Sequence, residues 1–310
     1  MNKPKDEPGL QTILSHCGRN LEASGGYVNV PPYEGSTILH DDMEDLFGRV
    51  DNHLYGDGTA QTYGTDGGPT HEAFYDAMNK LEGGAGTWAF STGLAGCTIP
   101  MMAFLKTGDH MLVTDSVYGP TRQFCEVLLK NFGVEAEFYE PTIGAGIEKL
   151  IRPNTRLIYM ESPGTHTFEM QDVPAIAAVA RKYNIVTMID NTYATPLNFQ
   201  PLKHGVDVVV HSATKYICGH SDVLMSTVTC NEKTWKQVRD VCKMTGQYAS
   251  AQSVYLGLRG LRTLKVRLDA VGVHTRKVVD WLLKREEVKK VIWPAYEKDP
   301  GYRIYKRDYS

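Results

Sequence analysis

The sequence lacks the features that would place a protein in a membrane, in an oxidising compartment or on nucleic acid. It has no run of about 18 apolar residues, the length a membrane-spanning helix needs. Its first residues lack the apolar core of a signal peptide. The six cysteines form neither a Cys-x-x-Cys pair nor a zinc spacing, and the net charge is only −3. We therefore expect a cytoplasmic protein with reduced thiols, without a metal site and without a nucleic-acid or membrane partner.

Two common functional patterns are missing as well. No Gly-x-Gly-x-x-Gly precedes a helix, which argues against a dinucleotide fold, and no Gly-x-Ser-x-Gly elbow is present. His220 and Asp222 could suggest a catalytic dyad, but residues so close in sequence rarely face each other, so a structural histidine is the alternative. The 310 residues, 42% of them hydrophobic and 22% charged, are typical of a soluble globular protein.

Regular structure is expected only from about residue 70. Residues 1–60 are polar and irregular, and predict either an extended arm on a neighbouring subunit or disorder. Further on, short apolar strands alternate with amphipathic helices, which is typical of a mainly parallel sheet covered by helices. The predicted strands are Thr87–Phe90, His110–Thr114, Val134–Tyr139, Leu157–Met160, Ile185–Asp190 and Val206–Val210.

The last part of the chain predicts two helical stretches and the start of another domain. Glu232–Met244 is helical, and so is Ser250–Lys284, with a break expected at Gly257 or Gly260. Val288–Trp293 has the pattern of a strand that opens a further domain. The predicted division is an arm over 1–60, a large domain over 61–255 and the beginning of a C-terminal domain over 256–310.

Lys215 and Asp190 carry the strongest chemical signal. Asp190 ends one apolar strand and Lys215 follows another, so both are expected at the carboxyl edge of one sheet, where such sheets bind ligands. A partly desolvated lysine there is a nucleophilic amine. A lysine that forms a Schiff base and an aspartate that keeps a pyridine nitrogen protonated are what pyridoxal 5'-phosphate (PLP) requires. The pair therefore predicts a PLP site.

Hydroxyl and glycine residues nearby could bind the phosphate of such a cofactor. Ser91–Gly96 joins a strand to a helix, where backbone N–H groups form an anion site. The alternative is an ordinary capped helix. Ser212 and Thr214 could share the same phosphate, and this favours the anion site.

Two tyrosines are candidates for binding the cofactor, and each has a purely structural alternative. Tyr118 follows a strand and could stack on a planar cofactor, or simply belong to the core. Tyr63, in a glycine-rich segment before the first long helix, could reach a phosphate, here or across a subunit boundary. A surface turn is the alternative for that segment.

At these residues the chain resembles the Cys/Met-metabolism family of PLP enzymes, from about Thr12 to Ser310. Members include cystathionine γ-synthase, cystathionine β- and γ-lyases and methionine γ-lyase. The segments that carry the resemblance are Leu81–Ala85, Ser91–Gly93, Thr107–Asp109, Tyr118, Glu161–Pro163, Ile189–Thr192, Ser212–Tyr216, Gly219–Asp222 and Arg259–Thr263.

The resemblance implies an α/β fold of PLP fold type I. Its sheet has seven strands, mainly parallel but mixed, between helices, and an incomplete C-terminal α+β domain follows. It also implies a homotetramer built as a dimer of dimers.

The resemblance also implies roles for the site residues. Lys215 would be catalytic, linked to the cofactor and later moving protons, and Asp190 would pair with the ring nitrogen. Tyr118 would stack on the ring, and Tyr118 and Tyr63 would be catalytic together with Lys215. Gly93, Leu94, Ser212 and Thr214 would bind the phosphate, and Tyr63 would act in a neighbouring subunit's site.

Within the family, Glu161–Pro174 is most similar to bacterial cystathionine β-lyases. The implied reaction takes L-cystathionine to homocysteine, pyruvate and ammonia in methionine biosynthesis, with alanine racemisation as a side activity. The γ-lyase, γ-synthase and methionine γ-lyase activities remain alternatives. Thr65 replaces an arginine common in the family, and family chains continue beyond residue 310 to an arginine that binds the substrate carboxylate. A non-catalytic cofactor-binding or assembly subunit is therefore a further alternative.

Overall fold

A seven-stranded sheet forms the centre of the protein. In the computed structural model, which describes residues 8–56 and 58–309, the strand order is β1-β7-β6-β5-β4-β2-β3. All neighbouring strands pair in parallel except β7, which runs antiparallel to both β1 and β6. The strands are β1 (Gly86–Phe90), β2 (His110–Thr114), β3 (Glu135–Tyr139), β4 (Thr155–Glu161), β5 (Val186–Asp190), β6 (Val208–His211) and β7 (Ser226–Cys230).

The expected mainly parallel, mixed seven-stranded α/β sheet is confirmed. Six strands match the sequence prediction to within two residues at either end, and His110–Thr114 matches at both. The seventh strand, β7, is not predicted individually because Ser and Thr alternate with apolar residues in it, as in a half-exposed strand. All five of its residues are nevertheless buried, because β7 lies between β1 and β6 and helices α3, α4 and α8 pack against it.

Helices cover both faces of this sheet. Alternate side chains of each strand enter different cores: Val113 and Tyr159 pack on one face, Leu112 and Ile158 on the other. Side chains buried on both faces are typical of parallel sheets between helices. The helices are α1 (Leu10–His16), α2 (Met43–Tyr55), α3 (Pro69–Glu82), α4 (Gly93–Thr98), α5 (Gly119–Gln123), α6 (Val173–Lys182), α7 (Thr195–Asn198), α8 (Glu232–Met244), α9 (Ala251–Leu261), α10 (Leu264–Leu282) and α11 (Tyr302–Asp308).

The predicted helix break at Gly257 or Gly260 is wrong by a few residues. Both glycines lie inside α9, and the chain breaks between α9 and α10 at residues 262–263. A Cβ atom on Gly257 would lie 2.6 Å from the Met225 side chain, and one on Gly260 would lie 2.2 Å from the carbonyl oxygen of Ile217. The two glycines therefore allow α9 to pack closely on the core, which is why they do not end the helix.

The predicted strand over Val288–Trp293 is also wrong, because these residues form no regular element. A strand needs a neighbour to pair with, and no described strand lies beside this segment. Trp293 instead stacks beneath the guanidinium of Arg276, with 4.6 Å between the guanidinium carbon and the ring centre. The C-terminal residues that follow form α11.

The expectation of an irregular N-terminal arm is only partly met. Two helices, α1 and α2, form within it, and Leu14 of α1 enters the core. Residues 1–7 of that segment lie outside the described residues. Among the helices that the structure describes, none has the length and apolar character to cross a membrane.

Candidate active site

One pocket of about 470 Å³ lies at the carboxyl edge of the parallel strands. This is the edge where sheets of this kind bind ligands. The pocket brings together residues from the turns after β1, β2, β5 and β6, which are far apart in sequence. Seven of the eight candidate residues line it, namely Gly93, Leu94, Tyr118, Asp190, Ser212, Thr214 and Lys215.

The start of α4 forms the polar corner of this pocket. Thr92 caps the helix by accepting a hydrogen bond from the backbone N–H of Ala95 at 3.2 Å. The N–H groups of Gly93 and Leu94 belong to the first turn, which has no carbonyl partner within its own helix. A Cβ atom on Gly93 would lie 2.7 Å from Oγ of Ser212. Glycine is therefore needed for the two turns to approach each other and leave room for a ligand.

Each of these two turns is also hydrogen-bonded to a neighbouring part of the sheet. Ser226, the first residue of β7, donates its hydroxyl hydrogen to the Thr92 carbonyl oxygen at 2.7 Å. Ser212 donates its backbone N–H to the hydroxyl oxygen of Thr192 at 2.7 Å. The first bond ties the turn after β1 to β7, and the second ties the turn after β6 to the turn after β5. The Ser212 residue lines the pocket.

Thr214 lines the pocket, but its hydroxyl is already engaged. Its oxygen accepts from the backbone N–H of Met225 at 2.9 Å, and its hydroxyl oxygen is within 3.1 Å of the Met225 carbonyl oxygen, to which it donates. A hydroxyl has one hydrogen to donate, so Thr214 would have to give up the carbonyl bond to bind an anion. Ser212 is therefore the better placed of the two hydroxyls.

Asp190 ends β5 with its carboxylate buried, and only 7% of the residue is exposed. One oxygen accepts from the backbone N–H of Thr192 at 3.0 Å, and the other is 3.5 Å from the thiol sulfur of Cys97. Burial raises the pKa of the Cys97 thiol well above its ordinary value, so the thiol is protonated and able to donate. The arrangement holds an acceptor at the base of the pocket.

Lys215 lies in the turn after β6, as predicted, and lines the pocket. The expectation that it is partly desolvated is wrong, because the residue is exposed. It belongs to the turn that follows the sheet edge, and the pocket is open on that side. Its amine is therefore accessible to a ligand that enters the pocket.

Tyr118 and Tyr63 differ in where they lie. Tyr118, the residue before α5, lines the pocket with 45% of its surface exposed, so it is not a core residue. Tyr63 lies outside the pocket, in a β-bridge with Thr37. The resemblance assigns it to a neighbouring subunit's site, and that assignment stays a prediction.

Glu161 also lines the pocket, although the sequence alone assigned it no role. It ends β4, beside Asp190 at the end of β5, and the two are paired in register. Burial, together with the Asp190 charge, raises the pKa of Glu161 to about 8. The same argument that placed Lys215 and Asp190 at the sheet edge applies to any carboxylate that ends an apolar strand, and would have found it.

Comparison with known proteins gives one consistent family. The family model described as Cys/Met metabolism PLP-dependent enzyme matches residues 11–310. A Rhizobium johnstonii protein, provisionally named a cystathionine beta-lyase, is 44% identical over 302 residues, covering 97% of this chain and 74% of that protein. Cystathionine beta-lyase MetC of Escherichia coli is 38% identical over 303 residues, covering 97% and 76%. The crystal structure of cystathionine gamma-lyase from Lactobacillus plantarum complexed with L-serine has a TM-score of 0.89 at 29% identity, covering 98% and 76%.

Proposed function

Because this chain belongs to the family of Cys/Met metabolism PLP-dependent enzymes, we propose that it cleaves L-cystathionine by β-elimination. The products are homocysteine, pyruvate and ammonia, a step of methionine biosynthesis. The observation that carries the proposal is the single pocket that joins Lys215, Asp190 and the Gly93–Ser212 corner. The names of the relatives, including the Escherichia coli cystathionine beta-lyase, support the substrate.

The residues of the pocket fit pyridoxal phosphate. The close approach of Gly93 to Ser212 leaves a polar corner with backbone N–H groups and a hydroxyl, which suits a phosphate. The buried Asp190 carboxylate suits a protonated pyridine nitrogen. Tyr118 presents an aromatic ring to the pocket, and the Lys215 amine is accessible. We assign the cofactor-binding roles to these residues on that basis.

The cofactor supplies an electron sink that stabilises negative charge on the substrate Cα. In the proposed reaction the Lys215 amine removes the Cα proton, the bond between Cβ and sulfur breaks, and the sulfur leaves as homocysteine. Water converts the remaining three carbons to pyruvate and ammonia. The Asp190 carboxylate would accept a hydrogen bond from the cofactor's ring nitrogen at the base of the pocket, and Tyr118 would cover the side of the pocket. With alanine as the substrate, return of the proton to the opposite face of Cα would give racemisation as a side activity.

A second reaction is favoured by the structural comparison. The cystathionine gamma-lyase from Lactobacillus plantarum has nearly the same fold as this chain. A γ-elimination on cystathionine releases 2-oxobutyrate in place of pyruvate. Chromatographic separation of the two oxo acids after incubation with PLP and L-cystathionine distinguishes the reactions. Pyruvate supports the proposal, whereas 2-oxobutyrate as the main product contradicts it.

A matched pair of lysine variants shows whether the pocket is responsible. Lys215→Ala should abolish both the visible absorption of the linked cofactor and oxo-acid release. Lys203→Ala removes another exposed lysine outside the pocket and should leave both unchanged. If the wild-type chain shows the visible band but releases no oxo acid, the alternative of a non-catalytic cofactor-binding or assembly subunit is favoured. Turnover that persists in Lys215→Ala would contradict the assigned role.

The assembly is part of the same proposal. We propose a homotetramer of paired dimers in which Tyr63 reaches a neighbouring site. Light scattering after size-exclusion chromatography measures the mass. Mixing Tyr63→Phe with Lys215→Ala chains tests the crossing, because mixed dimers should recover activity if Tyr63 serves the neighbouring pocket. No recovery in mixed dimers would contradict it.

A further inference from the structure

Glu161 and Asp190 place two carboxyl groups beside one another at the base of the pocket. They end adjacent parallel strands, β4 and β5, and their Cα atoms are partners in register. Side chains paired in this way point to the same face of the sheet. Both are nearly buried, with 9% and 7% of their surfaces exposed. Asp190 already has a role toward the cofactor, whereas Glu161 has none.

The hydrogen bonds of Glu161 lead to the side wall of the pocket. Its Oε2 accepts the backbone N–H of Tyr118 at 2.8 Å. Its Oε1 is hydrogen-bonded to the hydroxyl of Thr165. One carboxyl group thus connects the turn after β2, which carries Tyr118, with the segment that follows β4, which carries Thr165. Both partners line the same pocket.

Packing holds Tyr118 only in part, because 45% of the residue is exposed. It precedes α5, where backbone N–H groups have no helical partner, and Glu161 supplies an acceptor for its own N–H. A second tie runs in parallel, since the Thr165 N–H donates to the Ser116 carbonyl oxygen at 2.8 Å. A ring that must cover a flat cofactor gains most from a fixed backbone.

We propose that Glu161 is a positioning residue of the cofactor site, which holds Tyr118 and Thr165 in place and does not itself react. The proposal rests on the family's cofactor and on the assignment of Tyr118 to its ring, not on the identity of the substrate. If the Glu161 proposal fails, the oxo-acid product still tests the proposed reaction. The two proposals can therefore be judged separately.

A double-mutant cycle measures whether Glu161 acts through Tyr118. The observable is the dissociation constant of pyridoxal phosphate, from titration of the visible band. Glu161→Ala loses both hydrogen bonds and should raise the constant about tenfold. Tyr118→Ala should raise it by a similar factor. The double variant should bind no more weakly than the weaker single variant, whereas two factors that multiply would overturn the proposal.

A conservative variant separates positioning from a general effect on the fold. In Glu161→Gln the side-chain carbonyl oxygen can accept from the Tyr118 N–H while the NH2 group donates to the Thr165 hydroxyl oxygen, so affinity should return to within about twofold of the wild type. The circular dichroism of the bound cofactor, which reports its asymmetric surroundings, should fall in Glu161→Ala and recover in Glu161→Gln. An unchanged signal in Glu161→Ala would overturn the proposal.

A glutamate at the same sheet edge provides the matched control. Glu140 directly follows β3, is exposed, lies outside the pocket and accepts from the Thr142 hydroxyl. Glu140→Ala should therefore change neither the affinity nor the dichroism.

A second variant is available if Glu161→Ala does not fold. Thr165→Val removes one of the two bonds to Glu161 without removing a carboxyl group. It should weaken cofactor binding about threefold, and should add nothing further in the Tyr118→Ala background. Full affinity and unchanged dichroism in folded Thr165→Val would overturn the proposal.

Discussion

The imidazole of His211 and the carboxyl group of Glu82 form a hydrogen bond inside the protein, with 2.5 Å between Nε2 and Oε1. Both side chains are essentially inaccessible to solvent. Their remaining polar atoms, Nδ1 and Oε2, have no hydrogen-bond partner among the described residues. His211 ends β6, directly before Ser212, whereas Glu82 ends α3. The hydrogen bond therefore links α3 to the end of β6, the strand that precedes Lys215.

Removal of one partner should strongly destabilise the fold. Glu82→Ala leaves the His211 imidazole buried without its hydrogen-bond partner, which costs about 1–3 kcal/mol of unfolding free energy. Urea denaturation measures the loss. Asp76→Ala, which breaks the exposed pair with Lys80 on the same helix, should cost at most about 0.5 kcal/mol. If the two substitutions lowered the unfolding free energy equally, the prediction that the buried pair contributes more would be wrong.

Gly93→Ala should weaken cofactor binding by at least about tenfold. The new methyl group would come within 2.7 Å of the Ser212 hydroxyl, closer than contact allows, so the corner must open or the hydroxyl must leave it. Titration of the visible cofactor band gives the affinity. Gly272→Ala, where no atom beyond the adjacent residues and backbone of its own helix lies within 4 Å of the added Cβ, should bind normally. Normal affinity in Gly93→Ala would contradict the assignment of this corner to the phosphate.

The two hydroxyls should differ in what they contribute. Ser212→Ala should raise the dissociation constant of pyridoxal phosphate by about five- to tenfold, with little change in unfolding free energy. Thr214→Val should mainly lower stability, by about 1 kcal/mol, because it breaks the hydrogen bonds with the Met225 backbone. Parallel cofactor titrations and urea curves compare them. The reverse order of affinities would place the phosphate nearer Thr214.

Glu161 should make stability fall as pH rises. Its pKa is raised to about 8 in the folded chain, against about 4.3 when unfolded, so the folded state holds the proton more tightly. The resulting stabilisation is complete below about pH 4.3 and is lost progressively as pH rises toward 8. Between about pH 5 and pH 8, the wild type should therefore lose stability relative to Glu161→Gln in urea denaturation. Parallel pH profiles of the two proteins would contradict this.

Local sequence patterns predict much of the fold, because the spacing of apolar residues indicates which side chains are buried. The alternation of apolar strands and helices located His110–Thr114 at both ends, and the ends of two strands placed Asp190 and Lys215 in one pocket. The same signals failed where a distant contact decides the structure. Gly260 does not break its helix because it packs on the Ile217 backbone, and Val288–Trp293 finds no strand to pair with among the described residues.

The chemistry of the site could be predicted in kind but not in detail. A lysine, an aspartate and a set of hydroxyls in the right order along the chain indicated the cofactor. Whether a hydroxyl is free depends on its three-dimensional partners, which is why the engagement of Thr214 by Met225 could not be foreseen. The exposure of Lys215 depends in the same way on what surrounds the pocket mouth.

The antiparallel strand β7 has a consequence for how the chain becomes functional. It fills the gap between β1 and β6, and its Ser226 hydroxyl bonds to Thr92, 134 positions earlier in the chain. Pairings between such distant segments form slowly, because a long loop must close first. The corner beside Ser212 can therefore be completed only after β7 has inserted. Acquisition of the visible cofactor band during refolding would then report the pairing of β7 with β1 and β6, and should lag behind the far-ultraviolet signal of the helices.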